Sequence, residues 1–520
     1  MTTLFKIALA FFTLFFFTST ASTQTISIKK VKTDKGFISG VDNEDNSVKI
    51  FKGIPFAAPP VGDLRWKDPQ PVKRWKGILK CDKFGPNAKQ NPPVPFDVYT
   101  EEFLIPVNGD ISEDCLYLNV WTGAKSTNEK LPVIVFIHGG AFIVGSGSVP
   151  IYDGEAMAKK GVVFVTINYR LGVFGFYAHP ELTKESPHHT SGNYGLLDQV
   201  AALQWVKKNI AAFGGDPENV TIAGQSAGSI SVNVLSVSER AKGLFHKIIA
   251  ESGATVVRGR FGGTTILDTA ESRGLQFAQK AGAKNLKELR QLSADSLLKA
   301  FSGIGIVIVD GYLLTEPVSA SFAKNKQYDL PLMTGYTADE VNRPWDTTLT
   351  GFKKYLSKEF KNDSLKVFRY YPASNDEEAR NASRSILRDM GFGLQNFAWA
   401  AMQGQKKSKS YLYFFNRKVP EYGGTNKYGA FHSGEISYAY DNLKFFNRPF
   451  TNADHQLARL MSSFWVNFAK TGDPNGNGLP PWPAFDVQKG EVMIFDAETK
   501  PGVHPYYGGL NYFYQEAIKN

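Results

Sequence analysis

Between residues 131 and 235 the hydrophobic pattern changes period twice. LPVIVFIHGG (131–140) and GVVFVTINYRLG (161–172) are unbroken apolar, β-branched runs ending in glycine. Such runs are expected of strands buried on both faces of a mostly parallel sheet. In YGLLDQVAALQWVKKNIAAFGGDPENV the apolar positions Leu196, Val200, Leu203, Val206 and Ile210 instead recur at steps of three and four. That spacing predicts an amphipathic helix, ended by Gly214-Gly215, with Asp216-Pro217 leading into the next strand. The β-branched run Val220–Ile222 then meets the small-residue cluster GQSAGS. Strand, helix and strand thus form a βαβ progression that delivers Ser226 between Gly224 and Gly228.

The flanking text extends the same picture. From Thr25 to about Trp75 it is strand-like and broken by turns, with Asn43-Glu44-Asp45-Asn46 marking a hairpin and Pro59-Pro60-Val61-Gly62 a loop. YDLPLMTGY (328–336) and SYLYFFNRKV (410–419) read as later strands of the sheet, and LARLMSSFWVNFAKTG (457–472) as a late packing helix. Residues 265–405 are rich in helical periods, without linker, repeat or low-complexity tract. They are expected to form a wall or cap over the site. The expected class is α/β, with residues 24–520 as one domain.

Composition changes this picture little. The chain has 520 residues, 42% hydrophobic and 21% charged, enough for a large core. The net charge of +10 comes from scattered lysines, the densest cluster being GQKKSKS at 404–410. This is the pattern of a solvated surface, so no nucleic-acid partner is expected. The N-terminus matters more. One lysine, an apolar run from Ile7 to Phe17 and a Ser19-x-Ala21 pattern read as a secretory signal peptide over residues 1–23, cleaved near Ala21–Thr23. The run is too short to span a bilayer, so a soluble protein, secreted or periplasmic, is expected rather than a membrane-inserted one. In an exported chain the only two cysteines, Cys81 and Cys115, suggest one disulfide, with two isolated buried thiols as the alternative. Without clustered histidines they make no zinc site.

Gly224-x-Ser226-x-Gly228 is weak evidence by itself; its place between a strand and a helix-compatible stretch fits a nucleophile elbow. There the serine is held in an unfavourable backbone conformation with its hydroxyl exposed. His138-Gly139-Gly140-Ala141-Phe142 closes a buried strand and offers successive amides, so Gly140, Ala141 and Ala227 are the expected oxyanion donors. A serine also needs a general base. In the order serine, acid, histidine, only His432, His455 and His504 are eligible. His455 begins a helical stretch and His504 lies in a near-terminal loop, which leaves His432. The acid should follow a strand between Ser226 and His432. Asp339 and Glu340 in PLMTGYTADEVNRPW both qualify, as does Asp310 in VIVDGY, and the residues alone do not separate them.

The chain resembles the type-B carboxylesterase family, within the α/β-hydrolase fold, over nearly its whole length. FKGIPFAAPPVGDLRW, SEDCLYLNVW, HGGAF, NYGLLDQVAALQWVKKNIAAFGGDPENVTIAGQSAGS and WVNFAKTGDPN followed by WPAF carry the resemblance. It places the acid on Glu340 and agrees with Ser226 and His432. It implies a mostly parallel sheet flanked by helices and hydrolysis of a small-molecule ester with no metal or organic cofactor. Several positions depart from the family pattern. Gln225 stands where glutamate is usual, and Cys81 lies several residues before the usual first cysteine, whose counterpart is Ala88. Val341 replaces a glycine after the acid, Ala141 replaces the third oxyanion glycine, and the stretch between the cysteines lacks the tryptophan that cholinesterases use against choline. Gln225 and the missing tryptophan argue against a cationic substrate. Two rival readings are a catalytically silent adhesion member of the fold and an amide, carbamate or thioester hydrolase with the same triad. Oligomeric state and the particular ester are not legible.

Overall fold

The buried runs do become neighbouring strands. The computed structural model describes residues 25–27, 29–259, 263–303, 305–340, 348–421 and 427–519. The segment read as a signal peptide, and Val341, lie outside the described residues. The main sheet has eleven strands. They are β1 (Val41–Asp42), β2 (Lys49–Pro55), β3 (Tyr117–Thr122), β4 (Leu131–Ile137), β5 (Val163–Ile167) and β6 (Gly215–Gln225). β7 (Lys247–Glu251), β8 (Leu332–Thr337), β9 (Ser410–Phe415), β10 (Glu491–Phe495) and β11 (Lys500–Val503) complete it. Their spatial order is β11-β10-β9-β8-β7-β6-β4-β5-β3-β2-β1. The seven strands from β10 to β5 run parallel, and antiparallel strands close both edges.

β4 shows why these strands are apolar throughout. Val133, Val135 and Ile137 face one core, whereas Ile134 and Phe136 face another on the opposite side of the sheet. Alternate residues point to opposite faces, so a strand covered on both sides cannot alternate apolar with polar. The first face is covered by α1 (Tyr194–Asn209), with Leu203 and Val206 fully buried. Gly214, at φ 78°, turns the chain out of the short 3-10 segment that follows α1 and into β6. The other face is covered by α2 (Asn452–Thr471), whose Met461, Phe464 and Trp465 are fully buried. A capping box between Thr451 and Asp454 starts α2, five residues earlier than the sequence pattern suggested.

Topology then creates the site. The chain runs from β4 to β5 on one side of β4 and returns to β6 on the other. The loops leaving β4 and β6 therefore part at the carboxyl edge of the sheet, which opens a crevice at this switch point. His138–Phe142 follows β4 there and Ser226 follows β6.

The expected disulfide is absent: Cys81 and Cys115 are free, buried thiols. Ala88, not Cys81, reaches the second cysteine's segment, because Asn87–Ala88 pairs with Ile111–Ser112. Cys81 is held elsewhere, its N–H donating to Ser39 and its carbonyl accepting from Lys52. Burial pushes the Cys81 thiol up to about 12, and burial also raises that of Cys115. Alkylation without reductant should therefore add two labels after denaturation and none to the native protein, read by intact mass. A denatured protein that takes no label would mean a disulfide.

Candidate active site

Ser226 sits between the last residue of β6 and the first turn of a short helix, α3 (Ala227–Leu235), in a conformation that side chains seldom adopt: φ 56°, ψ −120°. Its N–H donates to the Glu251 carbonyl at 2.9 Å, and its own carbonyl accepts from Ile230 at 2.9 Å. Those bonds tie the strained residue to β7 on one side and to α3 on the other. The glycines around it are required by close approach. A Cβ at Gly228 would lie 1.9 Å from the Ile137 carbonyl, and one at Gly224 would lie 2.4 Å from the Gly228 carbonyl. Only two bare backbones can cross this near β4.

The bend after β4 packs against the serine. A Cβ on Gly139 would be 3.1 Å from that of Ser226. Gly140, Ala141 and Phe142 all have positive φ, at 102°, 53° and 61°. The turn is pinned from both sides: the Gly140 carbonyl accepts from Ile143 and Val144, and the Phe142 carbonyl accepts from Gly172. The N–H groups of Gly140 and Ala141 donate to no backbone or side-chain acceptor among the described residues. Ala227, at the first position of α3, has no partner within the helix. His138 supports the bend. Its ring stacks on Tyr169 at 4.4 Å, its Nδ1 lies 2.8 Å from the Gly139 carbonyl, and burial pulls its pKa down to about 4. It is a neutral packing group.

Glu340 and His432 meet, the pairing that the family resemblance implied. Glu340 lies three residues beyond β8 with a fully buried side chain, and its Oε2 hydrogen-bonds His432 Nδ1. Its Oε1 accepts from the Thr337 N–H at 2.8 Å. Burial would raise the Glu340 pKa, but the facing His432 and hydrogen bonds from His432, Ser252 and Thr337 hold it low. Burial likewise opposes charge on His432, yet the charge and hydrogen bond of Glu340, with Glu435 beyond, keep its pKa above the ordinary histidine value.

The adjacent Asp339 has a different task. Its N–H donates to the Ala430 carbonyl at 2.9 Å and its carboxylate accepts from the Ala430 N–H at 2.8 Å, which clasps the loop bearing His432. Asp310 accepts three amides, from Tyr312, Leu313 and Leu314, and caps a turn. His504 is buried against Tyr336, with 2.9 Å between its Nε2 and the tyrosine hydroxyl. His455 lies in the first turn of α2. None of these three joins the cluster.

Ser226 and His432 approach the same space without bonding. The Ser226 Oγ makes no hydrogen bond among the described residues, and His432 Nε2 lies 3.2 Å from the side-chain nitrogen of Gln225. With Nδ1–H committed to Glu340, Nε2 carries the lone pair and the Gln225 amide donates to it. Phe392 links the two residues from the other side, stacking on the His432 ring at 4.9 Å and lining the cavity that holds Ser226. That cavity is about 450 Å³, with Ala141, Phe142, Ala227 and Ile230 among its walls. Phe392 belongs to a wide π-helical turn, Asp389–Gly393, a local irregularity frequent at functional sites.

Sequence reasoning missed a layer behind the histidine. Ser252 donates to Glu435 at 3.1 Å, and Glu251 accepts from Trp465 Nε1 at 2.8 Å. Burial pushes both Glu251 and Glu435 up to about 8, Glu435 further through its proximity to Glu340 and Glu251. Both carboxyls therefore resist ionisation, whereas Glu340, in contact with His432, is held low. The one signal was the pattern of Glu251-Ser252-Gly253 closing an apolar strand, as Ser226 does.

Comparison with known proteins gives the family. The family model described as the carboxylesterase family matches residues 27–507. Fumonisin B1 esterase of Sphingopyxis macrogoltabida is 36% identical over 504 residues, covering 92% of this chain and 88% of that protein. Para-nitrobenzyl esterase of Bacillus subtilis (strain 168) is 36% identical over 496 residues, covering 90% and 95%. Liver carboxylesterase 1 of Oryctolagus cuniculus is 33% identical over 500 residues, covering 86% and 85%. A solved structure of PNB esterase superposes with a TM-score of 0.75 at 34% identity, covering 92% of this chain and 97% of that one. No helix among the described residues is long and apolar enough to cross a membrane. The chain has the α/β-hydrolase fold and belongs to the carboxylesterase family.

Proposed function

We propose that this protein is a serine carboxylesterase that cleaves carboxylic esters to acid and alcohol through an acyl-enzyme on Ser226. The observation that carries the reading is the strained Ser226, at φ 56° and ψ −120°, held at the wall of a cavity beside the Glu340–His432 pair. Strain of this kind costs about 1–3 kcal/mol and persists only where the surroundings enforce it. Here it turns a hydroxyl toward the cavity.

In the reaction His432 takes the Ser226 hydroxyl proton on Nε2 as Oγ attacks the ester carbonyl carbon. Nε2 must first exchange the Gln225 N–H for the serine hydroxyl, a small shift around a hydrogen bond of 3.2 Å. The amides of Gly140, Ala141 and Ala227 receive the oxyanion. Glu340, anionic and buried, stabilises the imidazolium through Nδ1–H. His432 then returns the proton to the departing alcohol. Water attacks the acyl-serine, giving its proton to His432, and the tetrahedral intermediate collapses to the acid as Ser226 recovers its proton.

Intact-mass and peptide mapping after exposure to a small phosphonate ester should place one adduct on Ser226. Ser226→Ala should slow p-nitrophenyl acetate hydrolysis by about three to six orders of magnitude with thermal unfolding retained. Undiminished turnover overturns the assignment.

The pH profile has a definite sign. The neutral imidazole is the base, so kcat/KM should fall as pH drops through a His432 pKa that lies above the ordinary value. Gln225→Glu places a carboxylate 3.2 Å or so from Nε2 and favours imidazolium. It should move the acid limb up by about one pH unit. An unmoved limb would mean that position 225 does not face the base.

A further inference from the structure

Among the described residues, the charged side chains that line the site are all of one sign. The cavity that holds Ser226 adjoins a second one, of about 480 Å³, the two sharing Thr265, Arg273 and Ile306 as walls. The second cavity is aromatic, with Phe176, Tyr177, Phe277 and Phe301, and Lys280 lies at its edge. Among the described residues no aspartate or glutamate lines either space. Glu340 and Glu435 sit behind His432, fully buried, and Gln225 is neutral.

Arg273 occupies the junction. It projects from α4 (Leu267–Lys280), its side chain is exposed, and its guanidinium has no ion-pair or hydrogen-bond partner among the described residues. The acids of the same helix do not neutralise it. Glu271 accepts a hydrogen bond from Thr183 at 2.5 Å, and Asp268 lines neither cavity. Lys280 Nζ donates to Ser302 Oγ at 3.1 Å. A planar guanidinium with free donors is suited to paired oxygens, as in a carboxylate. Low-dielectric aromatic walls focus the field of such cations on whatever enters.

We infer that Arg273 is a substrate-binding residue, and that the preferred esters carry a carboxylate separated from the scissile carbonyl by an apolar spacer. The spacer lies along the apolar wall of the Ser226 cavity formed by Phe142, Ile230 and Val234, and the carboxylate meets Arg273 where the aromatic second cavity begins, with Lys280 adding to the field. The inference rests on the esterase reading above, and extends it from reaction to substrate class.

The test compares p-nitrophenyl half-esters of suberic and sebacic acid with the same esters methylated at the far carboxyl, following nitrophenolate release from the full protein. The unmodified enzyme should favour the half-esters by about fivefold in kcat/KM, less at high salt. In Arg273→Gln the ratio of half-ester to capped ester should fall to about unity, in Arg273→Lys it should be partly restored, and in Arg273→Glu it should invert. A purely structural role would lower both esters together and leave the ratio intact, which overturns the inference. So does an unmodified enzyme that hydrolyses p-nitrophenyl acetate and the capped esters with no preference for the half-esters. If it hydrolyses none of these esters, including p-nitrophenyl acetate, the esterase reading itself falls.

Discussion

A single strained backbone organises this molecule. Ser226 can hold φ 56° only because β6 gives way to α3 at a point where Gly224 and Gly228 pass against each other and against the end of β4. The clearance is absolute, since a methyl group at Gly228 would fall 1.9 Å from the Ile137 carbonyl. Strand packing below and helix packing above make the strain affordable, and the two large cores on the faces of the sheet supply it. Every other functional group is placed relative to this turn: the glycine bend after β4 beside it, Glu251 beneath it, and Gln225 immediately before it.

The histidine depends on a second constraint, the control of charge in a dry space. Three glutamates, Glu251, Glu340 and Glu435, are buried in the layer around Ser252 and His432. Three anions there would be prohibitively costly without matching cations. Burial raises the pKa of Glu251 and Glu435, the latter also through repulsion by Glu340 and Glu251, while the contact with His432 and two further hydrogen bonds hold that of Glu340 low. The environment thus assigns different states to like groups. Gln225 belongs to the same economy: a carboxylate at that position, against Nε2, would add an anion on the other side of the ring.

How much of this could be read from residues alone depends on the range of the interaction. The strands around residues 131–137 and 163–167, the helix at 194–209 and the elbow at Ser226 follow from local period and from glycine chemistry. His432 emerged by elimination, and Glu340 over Asp339 only through family likeness. Neighbouring carboxyls look equivalent in a sequence. They separate in space because the bridge between Asp339 and Phe431 turns one side chain to the Ala430 amide and the other to the imidazole. The disulfide expectation failed for the same reason. A cysteine count carries no information about the pairing of Asn87–Ala88 with Ile111–Ser112, which brings Ala88 rather than Cys81 beside the segment leading to Cys115.

The sequence by itself determined the α/β class, the nucleophile turn, the glycine bend and the family, because each is written in contiguous residues whose backbone needs are local. Tertiary structure alone decided which buried acids resist ionisation, that Gln225 rather than Ser226 meets the imidazole nitrogen, and that Arg273 stands without a partner among the described residues where two cavities adjoin. Those outcomes depend on desolvation and on contacts between residues far apart in the chain, and neither quantity exists until the sheet has brought its loops together at one edge.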